Sequence, residues 1–425
     1  MREIFMYVVV IVITHPERRF PMSQLTIAPY FPFRRLKLLQ QRIVEEEWTT
    51  HISAVPNMRY RPVCHKCATL GTAIHDWEER IVRDLSLSDK RVFLHCRYRK
   101  IFCPTCKSVR IKDLECFAPY SRVTRRLAQY IHDLCSVMTV QEVANHLKLD
   151  WKTVKEIDKA FLEKEYGTPK LDGLRVLAVD EIAIKKRHRY MTVVLDYETG
   201  RVVWMKEDRT CETLCEFFSL MSEEQRKRLE AIAMDMWDPY IKAVQESVPH
   251  VKIVFDLYHV VAAFGRVIDT VRNLEYHKAS KANKSVIKGT KYLLLMNKRR
   301  IRTRKARQHL NRLLKLNGRL AKLYILKDRL KWLWDYSSQS WSQKALESWC
   351  SLARTIRYPV VRTFAERLER YSYGILNHCL YPINSAKLEG TNNKIKVIKR
   401  KAYGFHDTKY FTLKVIQAFD PLNGR

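Results

Sequence analysis

The chain has 425 residues, with 78 lysines and arginines against 45 acidic residues, a formal charge of +33. A charge of that size must be solvated or neutralised by a polyanion, which argues against an ordinary metabolic enzyme and for nucleic acid ahead of an acidic membrane surface. With 46% hydrophobic and 11% aromatic residues the chain can pack real cores, so wholesale disorder is excluded.

Residues 4–14 are apolar but too short to span a bilayer comfortably, and no small-residue cleavage site follows before His15. The run reads as an interfacial anchor, a strand, or translation upstream of a start at Met22. A cytoplasmic protein with no membrane partner is expected, and residues 1–55 form an N-terminal segment without an assigned role.

Eleven cysteines, an odd count with two CxxC pairs, fit metal or reduced thiols better than a disulfide framework. Cys64-His-Lys-Cys67 and Cys103-Pro-Thr-Cys106 each supply two thiolates from one knuckle, and zinc needs four such donors in a tetrahedron. A zinc ribbon over 56–117 with one structural zinc follows. His95 and Cys96 lie between the pairs as alternative ligands, and coincidental buried cysteines are the plainer reading.

Residues 118–170 read as a helix-turn-helix. One helix runs from Val123 to Met138, Thr139-Val-Gln-Glu142 has the capping-box pattern, and Val140, Val143, Ala144 and Leu147 recur at helical spacing. After a break at Leu149 the stripe resumes with Val154 and Ile157. The second helix would present Trp151, Lys152, Lys155 and Lys159 to a major groove or its phosphates; a helical spacer with a solvated basic face is the alternative. Pro169 and Gly173 then punctuate the chain.

From Leu174 short strand-like runs end at Asp180 and Asp196, and a third follows the Thr199-Gly200 turn. A helix from Cys211, a strand ending at Asp235, a helix from Pro239 and a strand ending at Asp256 complete the order β-β-β-α-β-α-β. The fold class expected for 171–425 is therefore α/β, a ribonuclease H-like catalytic domain, in which the first and fourth strands are neighbours. A helical insertion over about 265–375 interrupts it. Between Lys281 and Asp335 it carries 18 lysines and arginines against Asp328 and Asp335 alone, which favours DNA contact over a merely solvated face.

Asp180 and Asp235 close the first and fourth strands, so their carboxylates should meet at one sheet edge. Paired carboxylates repel unless a divalent cation lies between them, and hard oxygen donors suit magnesium. A third acid on a following helix completes a site for two magnesium ions, with manganese as substitute, and Glu389 is the candidate. Lys396 follows Glu389 on the same helical face, with Asn392 and Asn393 between them, and Lys394, Lys399, Arg400 and Lys401 extend a basic surface. An exposed cap is the ordinary role for any single strand-end aspartate.

The motifs CHKC, FCPTC, LAVDEIA, YMTVVLDYETGRVV, AIAMDMWDPYIKAV, IVFDLYHVV and KLEGTNNKIKVIKRKAYGF together resemble transposases of the ISL3 insertion-sequence family. The resemblance runs from about Cys64 to the C-terminus. It implies a zinc-binding region, a helix-turn-helix and an RNase H-like DDE domain, with the triad at Asp180, Asp235 and Glu389. Asp256-Leu-Tyr-His259 resembles a DxxH signature whose role is to support the site. The function implied is binding of terminal inverted repeats, cleavage at the element ends and strand transfer into target DNA, by a homodimer or higher oligomer on double-stranded DNA in a prokaryotic nucleoid. Asn393, Lys396 and Arg400 join the helix-turn-helix residues as DNA contacts. Two rivals stand beside it: a transposase-derived DNA-binding regulator without catalysis, and an RNase H-like structure-selective nuclease.

Overall fold

A computed structural model describes residues 30–71, 73–112, 116–118, 121–185, 189–383, 385–402 and 404–420. The apolar run at 4–14 and Met22 lie outside the described residues. The chain forms two compact units, Met1–Phe161 and Leu162–Arg425.

The first unit holds β1 (Leu36–Val44), β2 (Thr49–Pro56), β3 (Ala73–Leu87), β4 (Lys90–Cys103) and β5 (Ser108–Ile111) in one sheet, ordered β1-β2-β4-β3 with β5 also on β4. Residues 36–56, within a stretch that lacks strong periodicity in the sequence, are thus part of the ribbon's own sheet. The reason is that β1 buries only Leu36, so it carries no alternating pattern to read. Ile52, Ala54, Val82, Val92, Leu94, Cys96 and Tyr98 form the core. Cations between the cysteine pairs are engaged within the sheet: Lys100 pairs with Glu78, and Arg97 and Arg99 lie over Trp77. Three helices follow, α1 (Arg125–Val137), α2 (Val140–Leu147) and α3 (Trp151–Tyr166), closed around Leu127, Ile131, Val143, Ala144 and Val154.

The second unit is built on a five-stranded sheet of β6 (Val176–Lys185), β7 (Arg189–Asp196), β8 (Val202–Glu207), β9 (Ala231–Met234) and β10 (Lys252–Phe255), ordered β10-β9-β6-β7-β8. β6, β7 and β8 pair antiparallel, while β9 and β10 continue the sheet in parallel. Gly200, at φ +78°, makes the β7–β8 turn in a conformation that disfavours a Cβ. The parallel strands are joined through α4 (Cys211–Ser219), the short α5 (Glu223–Lys227) and α6 (Asp238–Ser247).

After β10 the chain is helical: α7 (Leu257–Lys278), α8 (Lys281–Ile287), α9 (Lys291–Leu295), α10 (Arg304–Leu316), α11 (Gly318–Trp332), α12 (Gln339–Arg354), α13 (Pro359–Arg370) and α14 (Ser372–Leu376). The insertion has no boundary at 265, because α7 is one continuous helix capped by Asp256. Its apolar residues share a single cluster with one face of the sheet, and a Cβ on Gly374 would stand 2.3 Å from the Phe255 ring. Finally α15 (Ser385–Lys401) and α16 (Thr408–Ala418) cover the opposite face through Leu388, Ile395, Phe411 and Val415.

Candidate active site and metal centre

β6 sends alternate residues to two faces. Leu177 and Val179 enter the core shared with the helical insertion, whereas Ala178 and Ile182 pack with Leu388 and Ile395 of α15. Period two therefore turns Asp180 towards α15 and Glu181 to the other face. The Asn392 side-chain amide donates to Asp180 Oδ2 at 2.6 Å, and the Glu181 N–H donates to Oδ1 at 2.7 Å.

The parallel ladder between β6 and β9 reaches Ala178 opposite Ala233, and Asp180 and Asp235 each come two residues later. They leave the ladder in matching register, at the open end of the parallel pair. One expectation changes: Asp180 does not close its strand, because β6 runs on to Lys185 paired with β7. The carboxylate is 9% exposed, and burial pushes it above the usual range. The nearby His259 charge and the two hydrogen bonds oppose that rise, while Asp256 adds to it.

Asp235 accepts from the Met236 N–H at 2.6 Å. Asp256 caps α7, with Oδ1 accepting from Tyr258 N–H at 2.8 Å and Oδ2 standing 3.4 Å from His259 Nδ1. That last contact is an ion pair at long hydrogen-bond range. It chiefly, with help from the charges of Asp235 and Asp180, holds His259 up at about 9 against the pull of burial. His259 is therefore a cation at neutral pH.

Glu181 is a further acid, on the opposite face of β6 from Asp180. It meets Arg209 at 3.1 Å, whose guanidinium lies 4.1 Å from the Tyr190 ring centroid and 4.7 Å from that of Trp237. Burial raises the Glu181 carboxyl, as do the charges of Asp180 and Asp235, while Arg209 restrains it. Sequence reasoning missed Glu181, Arg209 and the bond from Asn392. The Asp-Glu doublet within a strand was the available signal, since alternation must send the two acids to opposite faces.

Glu389 is exposed on α15, one turn before Asn392. Asp180, Asp235 and Glu389 are not among the sets of described residues whose ligand atoms all lie within 4.8 Å of one another. Asn393, Lys396 and Arg400 are exposed on the same helix. Lys394 and Lys399 are not free surface cations: they donate to the carbonyls of Ala418 and Ile184.

Cys64, Cys67, Cys103 and Cys106 do form such a set. Their sulfurs stand 3.9 Å (Cys64–Cys106), 3.4 Å (Cys67–Cys103) and 3.6 Å (Cys67–Cys106) apart. Zinc with thiolates at about 2.3 Å would space them about 3.8 Å apart, so the cage fits the ion. Each knuckle is closed by a backbone N–H aimed at its first sulfur, Lys66 to Cys64 and Cys106 to Cys103, both at 3.4 Å. Ala68 and Lys107, the residues after each pair, both take positive φ, +58° and +48°. Cys96 sits in the apolar core and His95 bonds His51 at 2.8 Å, so neither replaces a ligand.

In the three-helix segment Thr139 and Glu142 complete the capping box, and Asp150 Oδ1 accepts from the Lys152 and Thr153 N–H groups. Trp151, 45% exposed, and Lys152 are open at the start of α3, while Lys155 and Lys159 are half-buried and Lys155 pairs with Glu156. In the insertion, α7 supplies counter-charges that the window from Lys281 to Asp335 lacked: Asp269 pairs with Lys291 and Glu275 with Arg319. Lys327, 2% exposed, is held inside by the carbonyls of Leu294 and Met296.

Three family profiles match in chain order. The zinc-finger of transposase IS204/IS1001/IS1096/IS1165 covers residues 61–106, the helix-turn-helix domain of transposase family ISL3 covers 113–162, and the ISL3 transposase profile covers 177–415. The chain belongs to the ISL3 transposase family. The transposase for insertion sequence element IS1001 of Bordetella parapertussis is 39% identical over 366 residues, 85% of this chain and 90% of that one. The transposase for IS1557 of Mycobacterium tuberculosis, in two strains, is 26% identical over 361 residues, 79% of each chain. This transposase is accordingly a DNA-binding enzyme of DNA transposition with a zinc ribbon and a helix-turn-helix ahead of its catalytic domain. Among the described residues no helix is long and apolar enough to cross a membrane.

Proposed function

We propose that the transposase binds the terminal inverted repeats of its element, cleaves at the ends and joins the freed 3′-hydroxyls to target DNA, with Asp180, Asp235 and Glu389 as its acid triad. The observation that carries this reading is the meeting of three distant segments: Asp180 and Asp235 in matching register at the open end of the β6–β9 ladder, and α15 drawn onto Asp180 by Asn392. The strand order, with the first strand between the second and the fourth, supports an RNase H-like fold.

The pocket also fits a divalent cation. Asp180, Glu181, Asp235 and Asp256 share one electrostatic neighbourhood in which His259 and Arg209 are the positive partners, and all the acidic donors are hard oxygens. Asp180, Asp235 and Glu389 would hold magnesium, or manganese in its place, which supplies activation of the attacking water or 3′-hydroxyl and stabilises charge on the leaving oxygen. The protein's own groups do the positioning. Asn392 orients the Asp180 carboxylate, Asp256 fixes His259, and protonated His259 offsets part of the acids' charge. Lys396, Arg400 and Asn393, exposed on the same helix as Glu389, face the phosphates beside the scissile bond, and Trp151, Lys152, Lys155 and Lys159 contribute to end recognition by α3. The basic insertion holds DNA across a dimer or higher oligomer.

The test is incubation of purified protein with labelled end DNA and a target plasmid in magnesium. Nicked ends with 3′-hydroxyls and joined products are expected. Binding without cleavage would favour the regulator, and cleavage without joining the nuclease.

A further inference from the structure

A second cluster of soft ligands lies outside both sites. Cys211 and Cys215 are one turn apart on α4, and Glu246 approaches from α6. The two sulfurs are 3.9 Å apart, Cys211 Sγ is 3.7 Å from Glu246 Oε2, and all three ligand atoms lie within 4.8 Å of one another. These spacings match the edges of the ribbon's sulfur cage, 3.4 to 3.9 Å. The Ser247 hydroxyl adds an oxygen 3.7 Å from Cys215 Sγ. Leu214, Phe217 and Phe218 fill the core face of α4, while Cys211 and Cys215 pack half-buried at its margin with their sulfurs turned to each other.

The positive group paired with Glu246 is Lys242, at 3.7 Å and largely in solvent. Two sulfurs and one oxygen select a thiophilic ion over magnesium.

We propose that Cys211, Cys215 and Glu246 form a second, three-ligand site for a divalent cation of the zinc class, clamping α4 to α6. Loading expels the two thiol protons to solvent and leaves one coordination position open. Cys211 and Lys242 also line a cavity of ≈ 890 Å³, which gives the Cys211 side of the site access to solvent. Clamping the start of α4 also steadies Arg209, two residues before Cys211, on Glu181. With three ligands and partial exposure, the ion should exchange faster than the ribbon zinc.

Metal analysis of the full chain, prepared in a phosphine reductant with zinc present and freed of excess ion, should find two zinc per chain. Cys211→Ser with Cys215→Ser should lose one equivalent and keep the ribbon's, whereas Cys64→Ser should keep the second. Should the double variant fail to fold, cobalt loading of the parent decides: a second, weaker sulfur-to-cobalt charge-transfer set from a two-thiolate site is expected beside the four-thiolate spectrum. One zinc per chain, a second equivalent that survives the double substitution, or a four-thiolate spectrum alone would overturn the proposal.

Discussion

The cysteine cage and the carboxylate pocket solve opposite problems. The cage takes its donors from two short knuckles whose N–H groups and positive-φ residues preset each turn, so the ligand set closes with sulfurs 3.4 to 3.9 Å apart. The pocket takes its acids from β6, β9, the β10–α7 junction and α15, and leaves Glu389 exposed. A closed soft cage contributes folding energy, whereas an open hard-oxygen pocket keeps room for water and phosphate. Local spacing builds the first, and tertiary packing builds the second.

The comparison is broken most sharply by charge removal in the pocket. Asp180→Asn, Asp235→Asn or Glu389→Gln should lower cleavage of end DNA by about 10³-fold or more while binding stays within a few-fold, since each substitution removes several kcal/mol of charge stabilisation and leaves the DNA-binding surface intact. A variant that still cleaves in magnesium leaves the triad, and for Asp235 its place would pass to Asp256. Opening the cage should do the reverse. Cys64→Ser or chelation should unfold the ribbon sheet and weaken end binding by about 10²-fold, read by near-ultraviolet dichroism and gel shift, with the catalytic sheet intact.

Asn392→Ala tests whether the pocket depends on its second layer. Cleavage should fall about tenfold. Because Asn392 lowers the Asp180 pKa, its loss should also move the acid limb of the rate profile to higher pH. An unchanged limb would make Asn392 a packing residue.

His259 sharpens the electrostatic side. Its folded value, about 9, lies above the ordinary 6.5, so in metal-free protein its contribution to stability is fully present below about 6.5 and is lost as pH rises through 9. His259→Ala should flatten that part of the stability curve in a denaturant series. The smallest effects concern DNA grip. Lys396→Ala should reduce cleavage more than affinity, by a few-fold. Neutralising Lys298, Arg299 and Arg300 should instead lower affinity and reduce the log–log salt slope by about 0.9 for each phosphate that is no longer neutralised.

Much of this protein follows from local sequence. CxxC spacing announced the cage, the Thr139–Glu142 box placed α2, and apolar runs ending in Asp235 and Asp256 located β9 and β10, because each signal is completed within a few residues. Strands β1 and β2 were illegible, since β1 lies at the sheet edge with only Leu36 buried and β2 is held by β4, far along the chain, over a range that no single window spans. The counter-charges Asp269 and Glu275 were invisible for the same reason: they come from α7, outside the basic window in which they pair with Lys291 and Arg319. Amino-acid order alone sets which residues carry acid, sulfur and positive charge, and the succession of the elements. It took the packed fold to select Asn392 rather than Asn393 for Asp180, to turn Glu181 to Arg209, and to bend Lys394, Lys399 and Lys327 back onto carbonyls. Those choices depend on which face of a strand or helix meets which neighbour, and pairing across the fold sets that.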